Sequence, residues 1–255
     1  MADYPFAQGA GAVRTGDVAF DAGLRKFMIG VYNKLFLGIL LAGALAYAAG
    51  AIEPVTQLVF GTPLYYVVQW GPIVLLLGST FLMRNPSPLA TGILYWAIVT
   101  MIGLGMGVWV AMAESATSAK SGGIGLTTTY TTIGEAFFIT ASAFGVLSLW
   151  GYTSKKSLSA LGSFAVMALW GVVAFSVLNL FLPGNTMIQW IIMGAVFVLS
   201  AILVASNTQQ LKEGYAALAG DQRSLAVMTN WGALNFFISF VNMFRVVLML
   251  LSSRN

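Results

Sequence analysis

The chain has 255 residues, 58% of them hydrophobic and 8% charged, with 12 Lys and Arg against 8 Asp and Glu. Globular domains carry about a quarter charged residues, and so few charges cannot coat a soluble core of this size. The net charge of +4 therefore bears on orientation in a membrane rather than on nucleic acid. Cysteine and histidine are both missing. That excludes disulfides, thiolate or imidazole metal sites, and every nucleophile that depends on a His or Cys partner.

The N-terminal stretch "MADYPFAQGAGAVRTGDVAFDAGLRK" mixes acids and bases and lacks the apolar run and cleavage site of a secretory signal. Residues 1–26 are therefore expected to form a retained cytoplasmic tail. A membrane-spanning helix needs about 20 apolar residues, since the hydrocarbon core is about 30 Å thick and the rise about 1.5 Å per residue. Seven stretches qualify, at 27–50, 64–83, 88–113, 132–151, 160–182, 187–206 and 228–251. Pro and Gly punctuate them in "GTPLYY", "RNPSPLA" and "FLPGNT", as chain reversals at a membrane surface require. The expected fold is an all-α integral membrane bundle over residues 27–251, with a short external tail at 252–255.

Within the first span, Lys34 is an ionisable group in an apolar setting. Such groups are costly and mark function by default, unless their stems carry the charge to an interface. The third span holds "GLGMGVW", with Gly103, Gly105 and Gly107. It imitates a phosphate-binding loop but lies in hydrophobic sequence, where small residues serve close helix approach. Residues 114–131, including "SGGIGLTTTY", read as an external loop, and Glu135 follows near the outer mouth of the fourth span. The fourth and fifth spans meet at "EAFFITASAFGVLSLWGYTSKKSLSALGSF", where Lys155 and Lys156 stand as topology anchors. At the end of the sixth span, greasy sequence turns into Ser206, Asn207, Thr208, Gln209 and Gln210, a row of hydrogen-bonding groups that cannot ionise. The seventh span carries Asn235, Ser239 and Asn242, spaced by four and three on one helical face, and then Arg245. A helix with such a face is expected at the centre of the bundle.

Orientation follows from the basic residues on alternate connections. The N-terminal side carries eight, Arg14, Arg25, Lys26, Arg84, Lys155, Lys156, Lys212 and Arg223, and the other side two, Lys120 and Arg254. The N-terminus is thus expected inside and, with an odd number of spans, the C-terminus outside. Asp3, Asp17, Asp21 and Asp221 all fall outside the spans. Intramembrane proteolysis of the aspartyl type lacks its two embedded aspartates, and the serine type lacks its His, so no enzyme activity is expected.

The phrase Gly151-Tyr152-Thr153-Ser154-Lys155-Lys156, with Leu158, Ser159 and Gly162 after it, resembles the signature of the Bax inhibitor-1 family, the transmembrane Bax-inhibitor-motif proteins. Asn179 and Phe181 in "VLNLFL" and the closing "GALNFFISFVNMF" are similar to that family's later helices, so the resemblance covers nearly the whole membrane region. It implies a seven-helix bundle of Bax inhibitor-1 type in a bacterial inner membrane. Members carry an Asp where this chain has Asn207, in a Tyr-Asp-Thr-Gln phrase, and a second Asp at the position of Ser239. In the family that pair is associated with a proton-regulated Ca²⁺ leak. Two carboxylates in a low-dielectric bundle share a proton and titrate as a pair, whereas an amide and a hydroxyl offer Ca²⁺ oxygens without charge or titration.

Two functions remain open. Asn207, Ser239, Thr208, Asn235 and Asn242 either bridge helices or, with Arg84, Arg245 and Glu135, line a neutral polar pathway, a weak pH-insensitive cation leak. The other reading is a regulatory or structural partner of another membrane protein, since some bacterial relatives modulate a membrane-anchored protease. No catalytic residue, cofactor, metal site or nucleic-acid partner is expected; the lipid bilayer is.

Overall fold

The computed structural model describes residues 9–82, 85–118, 128–179, 186–218 and 220–253. They form eight helices: α1 (Gly9–Ala51), α2 (Glu53–Phe60), α3 (Leu64–Leu82), α4 (Pro88–Ser118), α5 (Tyr130–Thr153), α6 (Ser159–Asn179), α7 (Thr186–Leu218) and α8 (Gln222–Ser252). Seven are long and apolar enough to cross a membrane, and they coincide with the seven expected spans. The eighth, α2, is a single amphipathic piece with Pro54 in its first turn, too short for a hydropathy window to detect. Helix α1 begins at Gly9, inside the segment expected as a tail, and α7 runs on to Leu218, past the expected end at residue 206.

Helix α8 is the core of the bundle. Its membrane window is 61% buried, against 11% for α6, and it packs on α1, α4, α5 and α7. Helix α3 leans on α4, and α6 leans on α7. The aromatic side of α8 packs on its neighbours: Phe236 stacks on Tyr32 at 5.6 Å and meets Phe144 edge-on at 5.5 Å. Phe237 and Phe240 are buried beside them. Aromatic pairs in these geometries contribute about 0.5–1.5 kcal/mol beyond their area.

The most extensive contact, α1 on α4, depends on the glycines that mimic a phosphate loop. A Cβ on Gly103 would sit 2.7 Å from Ala42 Cα, and one on Gly107 would sit 2.7 Å from Ala49 Cβ. Four residues apart, the two share the face turned to α1, and their missing side chains let the backbones meet. The reversal from α7 to α8 turns at Gly220, whose φ of 103° lies in the left-handed region. Asp221 then caps α8 by accepting from the Arg223 and Ser224 amides.

Candidate functional site

The neutral row on α7 lies past the middle of a continuous helix rather than at its end. Ser206, Thr208 and Gln209 are all buried. They face the connection between α5 and α6, where the chain leaves a helix and its backbone groups need partners. The Gln209 amide supplies three of these. Its Oε1 accepts from the Leu158 amide at 2.6 Å, and its Nε2 donates to the carbonyls of Lys156 at 2.9 Å and Ser154 at 3.3 Å. Ser206 donates to the Leu158 carbonyl at 3.3 Å and accepts from Gln210 Nε2 at 3.0 Å. One turn on, Lys212 donates to the Tyr152 carbonyl at 3.2 Å and places its ammonium over the Tyr152 ring. Gly151 and Gly162 make the approach possible, since a Cβ on either would run into the Ala205 backbone or the Ser206 side chain.

Thr208 extends the contact inward. Its hydroxyl bonds to the Val204 carbonyl at 2.8 Å and shares a hydrogen bond of 3.3 Å with Ser148 of α5, which is in turn bonded to the Tyr32 hydroxyl of α1. A line of hydroxyls thus joins three helices. Asn207 is half-buried, and its amide has no hydrogen-bond partner among the described residues.

Helix α8 treats its polar residues differently. Asn235 and Arg245 are exposed and Asn242 is half-buried, while Ser239, at the edge of the same face, is 3% exposed. Among the described residues none of these four side chains makes a hydrogen bond or ion pair. Glu135 is also exposed, on the outer part of α5 beside Thr131 and Phe138, and Lys155 and Lys156 are exposed on the α5–α6 connection. Arg84 lies outside the described residues.

A second buried polar cluster involves a residue the sequence reading passed over. Lys34 donates to Asn230 Oδ1, and Asn230 Nδ2 donates to the Pro88 carbonyl and to Thr91 Oγ1, each at 2.8 Å. The Lys34 ammonium also lies 5.0 Å from the Tyr95 ring centroid, and the Tyr95 hydroxyl donates to the Lys34 carbonyl at 2.6 Å. The cation is held by a neutral amide and an aromatic face, joining α1, α4 and α8. A lone Asn in the apolar run "LAVMTNWGAL" was the available signal. Among the described residues, no cluster of three or more acidic side chains forms.

Residues 24–255 match the family model described as inhibitor of apoptosis-promoting Bax1. The chain belongs to the Bax inhibitor-1 family. An uncharacterized protein of Caulobacter vibrioides is 42% identical over 91% of this chain and 90% of its own length. A protein of Rickettsia prowazekii is 29% identical over 92% of each chain. The inner membrane protein YbhL of Escherichia coli is 29% identical over 91% of this chain and 94% of its own. The match takes in α8 and the α5–α6 connection, so the hydroxyl line and the open face of α8 both lie within the Bax inhibitor-1 region.

Proposed function

We propose that this Bax inhibitor-1 protein is a non-enzymatic regulatory or structural partner of another membrane protein, a membrane-anchored protease being one such partner. It sits in the bacterial inner membrane with its N-terminus in the cytoplasm, where Lys155 and Lys156 act as topology anchors. The observation that carries this reading is the use of the α7 row. A proton-operated gate needs groups that titrate, and the neighbours of Asn207 instead hold the α5–α6 connection in place. What the bundle has left to offer is surface, above all α6, which among the described residues leans chiefly on α7 and turns Phe164, Met167, Trp170 and Phe175 outward.

The open face of α8 favours a second reading, a weak and pH-insensitive leak. Its accessible amides offer oxygens, but Arg245, which has no ion pair among the described residues, repels cations, which argues for a small flux. Purification in mild detergent, with identification of co-purifying proteins, separates the two. A stoichiometric companion that survives reconstitution supports the partner role; a clean monomer that conducts in liposomes supports the leak. Reporter fusions at residues 155 and 212 are expected on the cytoplasmic side, and external accessibility at both reverses the orientation.

A further inference from the structure

Helices α1 and α5 are joined by the hydrogen bond between Tyr32 and Ser148 and otherwise leave a crevice between them with Phe240 of α8 at its floor. Toward the N-terminal side of the membrane it is a cavity of about 810 Å³, bounded by Met28, Tyr32 and Leu35 of α1, Ala141 and Gly145 of α5, and Phe240 of α8. It shares Ile39, Phe137 and Phe240 with a second apolar cavity of about 300 Å³ further out. Ile29, Phe36 and Leu149 along its edges are exposed, so in a bilayer the crevice opens sideways into lipid.

Its mouth is basic. Arg25 lines the crevice and is exposed, and Tyr152 lines it opposite, carrying Lys212 over its ring at 4.9 Å. Lys155 and Lys156 follow on the adjoining turn, while the acids nearby in sequence are Asp21 and Glu213. From Arg25 to Ile39 α1 rises about 21 Å at about 1.5 Å per residue, enough to cross the roughly 15 Å that one leaflet contributes to a hydrocarbon core of about 30 Å.

We infer that the crevice between α1 and α5 is a binding site for one anionic phospholipid of the leaflet on the N-terminal side. Its phosphate meets Arg25 and Lys212, and an acyl chain lies along Leu35, Phe144 and Phe240. An apolar slot by itself does not choose among lipids; the selection comes from the basic rim, because cationic residues at a membrane surface attract anionic headgroups at about 1 kcal/mol each. With the proposed orientation the leaflet is the cytoplasmic one, but the site does not depend on that, since the slot and its rim are fixed to each other.

Native mass spectrometry of the full chain, titrated in detergent with phosphatidylglycerol and phosphatidylcholine of matched acyl chains, tests the site. One phosphatidylglycerol per chain is expected to be retained in preference to phosphatidylcholine. Arg25→Gln is expected to reduce that preference about five-fold, the equivalent of one surface cation. Gly145→Phe fills open space, since a Cβ there meets nothing within 4 Å, and is expected to release both lipids without lowering the unfolding temperature. Where that variant does unfold earlier, Arg25→Gln at the exposed rim decides alone. Equal retention of the two lipids, or a preference that Arg25→Gln leaves unchanged, overturns the inference and reduces the crevice to ordinary lipid contact.

Discussion

The α7 row and the open face of α8 are made of the same chemical groups, amides and hydroxyls in otherwise greasy helices, yet the bundle uses them in opposite ways. On α7 the side chains of Ser206, Thr208 and Gln209 are buried, and each is bonded to a helix end or a neighbouring helix. On α8 Asn235, Asn242 and Arg245 are accessible and have no partner among the described residues. The first arrangement is what stability demands, because an unpaired buried backbone group costs about 1–3 kcal/mol. The second contributes nothing to stability and puts a charge within a span, a cost borne for function where it is borne at all. Substitutions in the two regions should therefore differ in size.

The largest effect is expected from Gly151→Ala. The new methyl would press on the Ala205 backbone, which cannot swing aside, so α5 and α7 must part, at about 3 kcal/mol, the upper range for overpacking. Thermal unfolding in detergent measures it, and an unchanged midpoint would show that the two helices do not meet there. Gln209→Ala comes next, at about 2 kcal/mol, because Leu158 N and the carbonyls of Ser154 and Lys156 lose their partner together. The same substitution should speed proteolysis at residues 154–158, a local readout that a general loss of stability does not produce.

Asn235→Leu sharpens the contrast from the other side. With no bond to lose, it should leave the unfolding midpoint within about 0.5 kcal/mol of the parent; a loss as large as that of Gln209→Ala would mean the α8 face is structural too. The smallest effect belongs to Asp221, the bonded start of the same helix. Hydrogen bonds from the Ser224 hydroxyl and amide, with a further one from the Arg223 amide, hold its carboxyl below the ordinary value of 3.8. A depressed acid contributes stability above its unfolded pKa and loses it as pH falls through the folded one. Unfolding followed from neutral pH down to about pH 3 should show a slight extra loss in the parent that Asp221→Asn lacks.

The seven spans were legible in the sequence because a bilayer demands only length and apolarity of each helix, a local property. The central place of α8 was expected from its polar face, and the place is right but the reason is not: Asn235 is exposed, and the buried side is the aromatic one, Phe236, Phe237 and Phe240. What the sequence hid is tertiary. Gln209 meets a connection 51 residues away from it at Leu158, and Lys34 meets Asn230 across 196 residues. No spacing rule reaches that far. The row on α7 looked like a helix end because its polarity rose, but Ser, Thr and Gln are tolerated inside a helix, and the hydrogen bonds to 154–158 let it continue to Leu218.

The central proposal is that this chain, whose Asn207 and Ser239 stand where the family resemblance expects acids, has no proton-operated gate, and the pH dependence of Ca²⁺ flux tests it most directly. Reconstituted in liposomes and followed between about pH 6 and 8, the unmodified protein should pass little Ca²⁺ and show a nearly flat profile. The double change Asn207→Asp and Ser239→Asp, once its folding is verified, should introduce a pH response in that window, since burial and like charge push a carboxyl's pKa upward. A steep response in the unmodified protein would contradict the account and turn attention to Glu135.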